Sequence, residues 1–184
     1  CGIFSFISKN KISQKDILLS KQGTKLLSHR GPDGSGEWIN KNKGIFIGHR
    51  RLKIIDLSNK ASQPMIKKNF VLSYNGEIYN FKEIRENLKR KGFKFTSTSD
   101  TEVLINLWID KGPSCLNEID GMFSFIIWDG KNIWIARDKF GEKQLFYSIA
   151  ENGIYISSEI QPLIKITKCK KNIDQDKISA FLSL

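Results

Sequence analysis

Two short apolar runs joined by a tight glycine-containing turn pair with each other antiparallel, and this chain carries that arrangement twice in its last third. MFSFIIWDGKNIWIARD sets Asp129-Gly130 between runs of aromatic and β-branched residues, and SIAENGIYISSE repeats the pattern with Asn152-Gly153 at the turn. Earlier in the chain, CGIFSFI reads as a buried strand beginning at the first residue. GIFIGHRRLKIID and NFVLSYNGEIYN read as strands that break into loops, separated by a polar stretch ending in Gln63-Pro64. Strands and helices do not alternate regularly, which favours an α+β protein with antiparallel sheets over a doubly wound one.

The remaining elements follow from periodicity and caps. Ser13, followed by Asp16, Ile17 and Leu18, predicts a capped helix that ends before the loop SHRGPDGSG. FKEIRENLKRKG predicts an amphipathic helix closed by Gly92. FKFTST predicts a short strand ahead of a helix over about 100–111, terminated by Gly112-Pro113. The final IDQDKISAFLSL predicts a helix opened by an Asp. With 184 residues and 40% hydrophobic content, one domain with a sizeable core is expected.

Several function classes recede on composition. No stretch approaches the roughly 18 apolar residues of a membrane span, and no leader pattern opens the chain, so no membrane partner is expected and the cytosol is the default location. Cys1, Cys115 and Cys169 fit neither a disulfide framework nor zinc-site spacing, so reduced thiols and no metal are expected, with Cys115 and Cys169 as inert packing residues. The net charge of +11 raises nucleic acid as a partner. The lysines are instead scattered, and the clusters Lys67-Lys68, Lys89-Arg90-Lys91 and Lys168-Lys170-Lys171 read as solvated turns or helix ends, so no nucleic acid is expected.

Residue 1 carries the most specific chemistry. An N-terminal Cys holds a thiol and an α-amine of ordinary pKa about 7.7–8.0, partly unprotonated at neutral pH, which takes the thiol proton directly or through one water. The free terminus is expected from removal of an initiator Met. His29 and His49, each beside an arginine in a loop-like string, read as holders of loop backbone rather than bases. YNGEIYN is open to two readings: a hairpin with an Asn-Gly turn, or an oxyanion hole from the Asn75 amide and the Gly76 N–H. Arg51 could fork onto a substrate carboxylate, and Glu77 with Asp100 could hold an ammonium, although Asp100 could equally cap the helix that follows.

Taken together, CGIF, HRGPDGSG, GHRRLKIIDLS, QPM, YNGEIYN, SDTEV, GMFSFIIWD and RDKFGEKQLFY, in that order, resemble the N-terminal glutaminase domain of glutamine-dependent asparagine synthetases, a class II glutamine amidotransferase. Pro32 in HRGPD matches that group, where hexosamine-phosphate synthases typically carry Tyr. The resemblance spans effectively the whole chain, and it implies the N-terminal nucleophile (Ntn) hydrolase fold, four layers αββα with two stacked antiparallel sheets. It implies that Cys1 is nucleophile and base, that Asn75 and Gly76 form the oxyanion hole, and that Arg51 binds the glutamine carboxylate and Glu77 and Asp100 its amino group. Leu52, Ile54 and Ile55 would line the pocket through backbone contacts. Gln144 stands where the family pattern has Pro, which alters the local turn but no substrate contact.

The function implied is hydrolysis of L-glutamine to glutamate and ammonia for an ATP-dependent amidation, ordinarily of aspartate, with a sugar carboxylate as the alternative acceptor. No Ser-Gly-Gly pyrophosphate loop occurs in these residues. Residues 1–172 are therefore expected to be the glutaminase domain and 173–184 the start of a linker helix toward a synthetase domain of the same polypeptide. That domain would use ATP and Mg2+, whereas the glutaminase domain needs no cofactor, and self-association into a homodimer is left open. The competing readings are a basic nucleic-acid-binding module and a regulatory domain silent without its partner.

Overall fold

The computed structural model describes residues 1–169 and 175–183. In chain order the elements are β1 Gly2–Ser8, α1 Gln14–Leu26, β2 Gly34–Asn40, β3 Ile45–Arg51, β4 Met65–Lys67, β5 Phe70–Ile78, α2 Phe81–Arg90, α3 Asp100–Lys111, β6 Gly121–Trp128, β7 Ile133–Arg137, β8 Phe146–Ala150, β9 Gly153–Ser157, α4 Ile160–Thr167 and α5 Gln175–Leu182. The strands form a five-stranded sheet ordered β2-β3-β1-β9-β8 and a four-stranded sheet ordered β4-β5-β6-β7. Neighbours pair antiparallel throughout.

Strand alternation builds the layers. Phe4 and Phe6 of β1 point to one side and pack with Ile17 of α1 and Leu163 of α4. Ile3 points to the other and meets Ile45 and Ile47 of β3, Val71 of β5 and Ile126 and Trp128 of β6. The outer face of the smaller sheet, with Leu72, Tyr74 and Phe125, is covered by Ile84 and Leu88 of α2 and by Val103, Leu104 and Leu107 of α3. The order is thus helices, sheet, sheet, helices: the αββα arrangement of the Ntn hydrolases. Each fully buried Phe or Ile stabilises it by roughly 1.5–3 kcal/mol.

Two caps agree with the sequence in detail. Ser13 caps α1 by accepting from the Asp16 N–H at 3.1 Å. Helix α2 closes with Gly92 N–H donating to Lys89 C=O and Phe93 N–H to Leu88 C=O, a Schellman closure made possible by φ +89° at Gly92.

Other expectations are corrected. Residues 93–98 form no strand, because their N–H groups are taken by carboxylates: Thr96 and Ser97 donate to Glu102, and Thr98 donates to Asp56. SHRGPDGSG is not all loop; Ser28–Arg30 make a 3-10 turn and β2 begins at Gly34. The last hairpin turns at Glu151-Asn152, with Ala150 opposite Gly153, one residue earlier than its Asn-Gly signal. Ser99, not Asp100, caps α3, accepting from the Glu102 N–H at 3.2 Å. Cys115 is a buried packing residue whose thiol burial pushes up to about 12, but Cys169 is exposed. The turn containing Gln144 is organised by Asp138, whose carboxylate accepts from the N–H groups of Phe123, Phe140, Glu142 and Lys143. Lys170, Lys171, Asp174 and the expected 172/173 boundary lie outside the described residues. No helix among the described residues is long and apolar enough to cross a membrane.

Candidate active site

Cys1 stands at the head of β1, between β3 and β9, and its groups are held from several sides. The α-amino group donates to the Arg30 carbonyl at 3.0 Å, and Arg30 Nε donates back to the Cys1 carbonyl at 2.9 Å. The thiol Sγ accepts from the Leu52 N–H at 3.4 Å and faces the Leu52 carbonyl at 3.7 Å. Burial, reinforced by the positive charges of Arg30 and Lys143 and opposed by Asp33, brings the amine down to about 6. It is therefore mostly an unprotonated base at neutral pH, within reach of its own thiol.

Asn75 and Gly76 lie in the middle of β5, opposite Ser124 and Phe123 of β6, so the hairpin-turn reading of this string falls away. Phe123 gives its N–H to the Asp138 carboxylate and its C=O to the Asp138 N–H. The Gly76–Phe123 pair is therefore non-hydrogen-bonded, and the Gly76 N–H faces the opposite edge of β5. There β4 reaches only as far as Leu72, and the side chain of Gln63 satisfies the backbone of Tyr74, leaving the edge open at Gly76. A Cβ at Gly76 would lie 2.3 Å from the Met122 carbonyl oxygen, so close strand approach, not unusual torsion, demands glycine here. The Asn75 Nδ2, although buried, has no partner among the described residues.

Arg51, at the end of β3, is 7% exposed and donates from Nη1 to the Ser58 carbonyl at 2.8 Å and from Nη2 to the Asp56 carbonyl. Asp100 opens α3 with its side chain turned inward, accepting from the Tyr74 hydroxyl at 2.8 Å and from the Ile78 N–H at 3.2 Å. Burial raises its pKa against the lowering effect of those hydrogen bonds. An ammonium ion would relieve that desolvation.

All these groups border one cleft of about 400 Å³, which gathers Cys1, Arg51, Leu52, Ile54, Ile55, Asn75, Gly76, Glu77 and Asp100. Every site residue singled out in the sequence is there. Sequence reasoning missed Arg30, Asp56, Gln63, Tyr74, Lys143 and Glu159, which also line it. Asp56 and Arg30 sit inside recognisable strings, but Glu159 is 158 positions from Cys1 and only the β1–β9 pairing brings it near. Both histidines are reassigned. His29 bonds the Glu159 carboxylate at 3.0 Å rather than loop backbone. His49 is a buried strand residue with Nδ1 2.9 Å from Ser73 Oγ. Among the described residues no group of three or more His, Cys, Asp or Glu gathers as a metal site.

The family model described as glutamine amidotransferase domain matches residues 1–184. The chain belongs to this family. Asparagine synthetase [glutamine-hydrolyzing] 3 of Bacillus subtilis is 32% identical over 190 residues, covering all of this chain and 30% of its own length. Asparagine synthetase B [glutamine-hydrolyzing] of Escherichia coli is 35% identical, over 93% of this chain and 31% of its own. This amidotransferase domain thus spans about 30% of the length of those curated relatives. Glutamine phosphoribosylpyrophosphate amidotransferase from B. subtilis shares the fold with a TM-score of 0.77 at 21% identity, over 91% of this chain and 44% of that one.

Proposed function

We propose that the domain hydrolyses L-glutamine to glutamate and ammonia through a thioester at Cys1. The carrying observation is the convergence, in one cleft, of the Cys1 thiol and its low-pKa amine with an Asn75 Nδ2 that has no partner among the described residues, the Arg51 cation and the Asp100 carboxylate. The amine takes the thiol proton and sulfur attacks the side-chain amide carbon. The resulting oxyanion accepts from Asn75 Nδ2 and the Gly76 N–H, donors already in place before charge develops. The tetrahedral species collapses as the amine passes its proton to the departing nitrogen, releasing ammonia. Water then adds to the γ-glutamyl thioester, the amine accepting its proton and returning it to the departing sulfur. Arg51 receives the substrate α-carboxylate and Glu77 with Asp100 the α-ammonium, while Leu52, Ile54 and Ile55 close the pocket wall.

Residues 1–172 form this domain in our reading, and 173–184 lead toward the rest of a longer polypeptide. There ATP and Mg2+ would activate the acceptor, in the cytosol. The relatives' names support aspartate over a sugar carboxylate as that acceptor. Among the described residues, Lys67, Lys89 and Lys91 of the lysine clusters are paired with Glu102, Glu86 and Asp110, which weighs against the nucleic-acid reading.

The test is L-glutamine turnover by protein whose N-terminus has been verified by mass spectrometry. Cys1→Ala and a chain with an added N-terminal residue should both be inactive. The acid limb of kcat/KM should fall as pH drops through about 6, because protonation removes the base. Full activity in either altered protein would refute the mechanism.

A further inference from the structure

Asp56 lies beside the cleft, and its carboxylate joins two segments far apart in sequence. On its own side, Oδ1 accepts from the Ser58 N–H at 2.7 Å and the Ser58 hydroxyl at 2.6 Å. Across the gap, Oδ2 accepts from the Thr98 N–H at 2.7 Å and the Thr98 hydroxyl at 3.0 Å. The backbone carbonyls of Asp56 and Ser58 are the two that hold the Arg51 guanidinium. Thr98 immediately precedes Ser99, the cap of α3, and α3 begins at Asp100.

We infer that Asp56 is a positioning residue that sets the distance between the Arg51 fork and the Asp100 carboxylate, and so selects a substrate whose carboxylate and ammonium share one carbon. The inference rests on the glutamine reading above. The chemistry requires such a brace, because Arg51 and Asp100 sit on different sheets' machinery: one ends β3 of the larger sheet, the other opens a helix packed on the smaller. An error of an ångström in that span would weaken both ionic contacts together. Asp56 contacts neither Cys1 nor the oxyanion donors, so bond breaking itself should be spared.

The experiment compares Asp56→Asn, Thr98→Val and the double variant with the unaltered domain in L-glutamine turnover, thermal unfolding serving as the folding control. Asp56→Asn turns one of the two accepting oxygens into a donor. It should raise KM by about tenfold or more with kcat within about threefold, the signature of lost uniform binding. Thr98→Val should raise KM less, and the double variant should be no worse than Asp56→Asn alone, since both cut the same brace. An unchanged KM, a fall confined to kcat, or additive effects would overturn the inference. Thr98→Val, at an exposed position, carries the test if Asp56→Asn does not fold. The same comparison by calorimetric L-glutamine binding in a Cys1→Ala background reports even from a domain without turnover. Inactivity of the unaltered domain would count against the proposed function, whereas unaltered glutamine affinity in the variants would count against this brace.

Discussion

Acidification should destabilise this domain through one side chain, His49. Its ring is fully buried between the sheets, with Nδ1 against Ser73 and Nε2 without a partner among the described residues. Burial first, then the positive charges of the Cys1 amine and Arg51, lowers its pKa from 6.5 to about 3. Between those values the unfolded chain binds a proton that the folded chain refuses, so stability rises with pH across the window and is lost as pH falls. The slope is about 1.4 kcal/mol per pH unit, which integrates to about 3 kcal/mol between pH 7 and pH 4. Carboxylates titrate in the same range, so the effect is isolated by difference. His49→Asn keeps a group able to bond Ser73 but cannot take up a proton. Urea unfolding of both proteins at pH 7, 6, 5 and 4, at constant ionic strength, gives the gap between them. The variant starts lower at pH 7 because it leaves a cavity, and the gap should close by about 3 kcal/mol by pH 4. A gap constant across the series would refute the assignment of a neutral, proton-refusing His49.

Two further outcomes follow from the packing. Glu102→Gln replaces a carboxylate that accepts from the N–H groups of Thr96 and Ser97, the Ser97 hydroxyl and the Lys67 ammonium. It should cost about 2–4 kcal/mol at pH 7, read as a lowered Tm. Because those partners hold Glu102 down to about 2 against the opposing effect of burial, the wild-type advantage should persist above pH 4.5 and fade as pH falls toward 2. Gly76→Ala drives a methyl into the Met122 carbonyl and should cost about 1–3 kcal/mol and abolish glutamine turnover, measured by ammonia release. Its control, Gly92→Ala, has open space around the new methyl and should lose only about 1 kcal/mol, with kcat unchanged.

The strands legible in the sequence were those whose own residues specify them. GIFSFIS alternates between two cores, and the β6–β7 turn is written in Asp129, which accepts from the N–H groups of Lys131 and Asn132. Partner-dependent structure was not legible. FKFTST has strand composition, yet Glu102 and Asp56 outcompete any neighbouring strand for its N–H groups. Strand β2 begins inside the glycine-rich GPDGSG, and pairing with β3 holds it extended. At the site, Cys1, Arg51, Asn75 and Asp100 were singled out by their own chemistry, whereas Arg30, Asp56, Gln63, Tyr74 and Lys143 were missed although they lie inside the same motif strings, and Glu159 lies beyond the last of those strings. The two readings of Asn75-Gly76 were inseparable until the β5–β6 register placed them mid-strand. Distant carboxylates and cross-strand register are the information that periodicity lacks.

The layer between the sheets shows how the cleft is maintained without the core closing over it. At one end Ile45, Ile47, Val71, Ile126 and Trp128 pack as an ordinary apolar interior. Two residues further along each strand, His49, Ser73 and Ser124 replace them, and Asn75 and Arg51 follow at the cleft. Of the five residues with orphaned buried polar side-chain atoms among those described, His49, Asn75 and Ser124 belong to this transition. Each orphan costs about 1–3 kcal/mol relative to an apolar residue of similar shape, so folding alone would favour extending the isoleucine pattern to the end of the strands. Doing so would remove the amide donor at Asn75 and allow β3 and β5 to pack together where substrate must enter. The polar segment is therefore a cost in stability at the cleft end of the layer, and in the proposed mechanism the Asn75 Nδ2 is the group there that a developing oxyanion would satisfy.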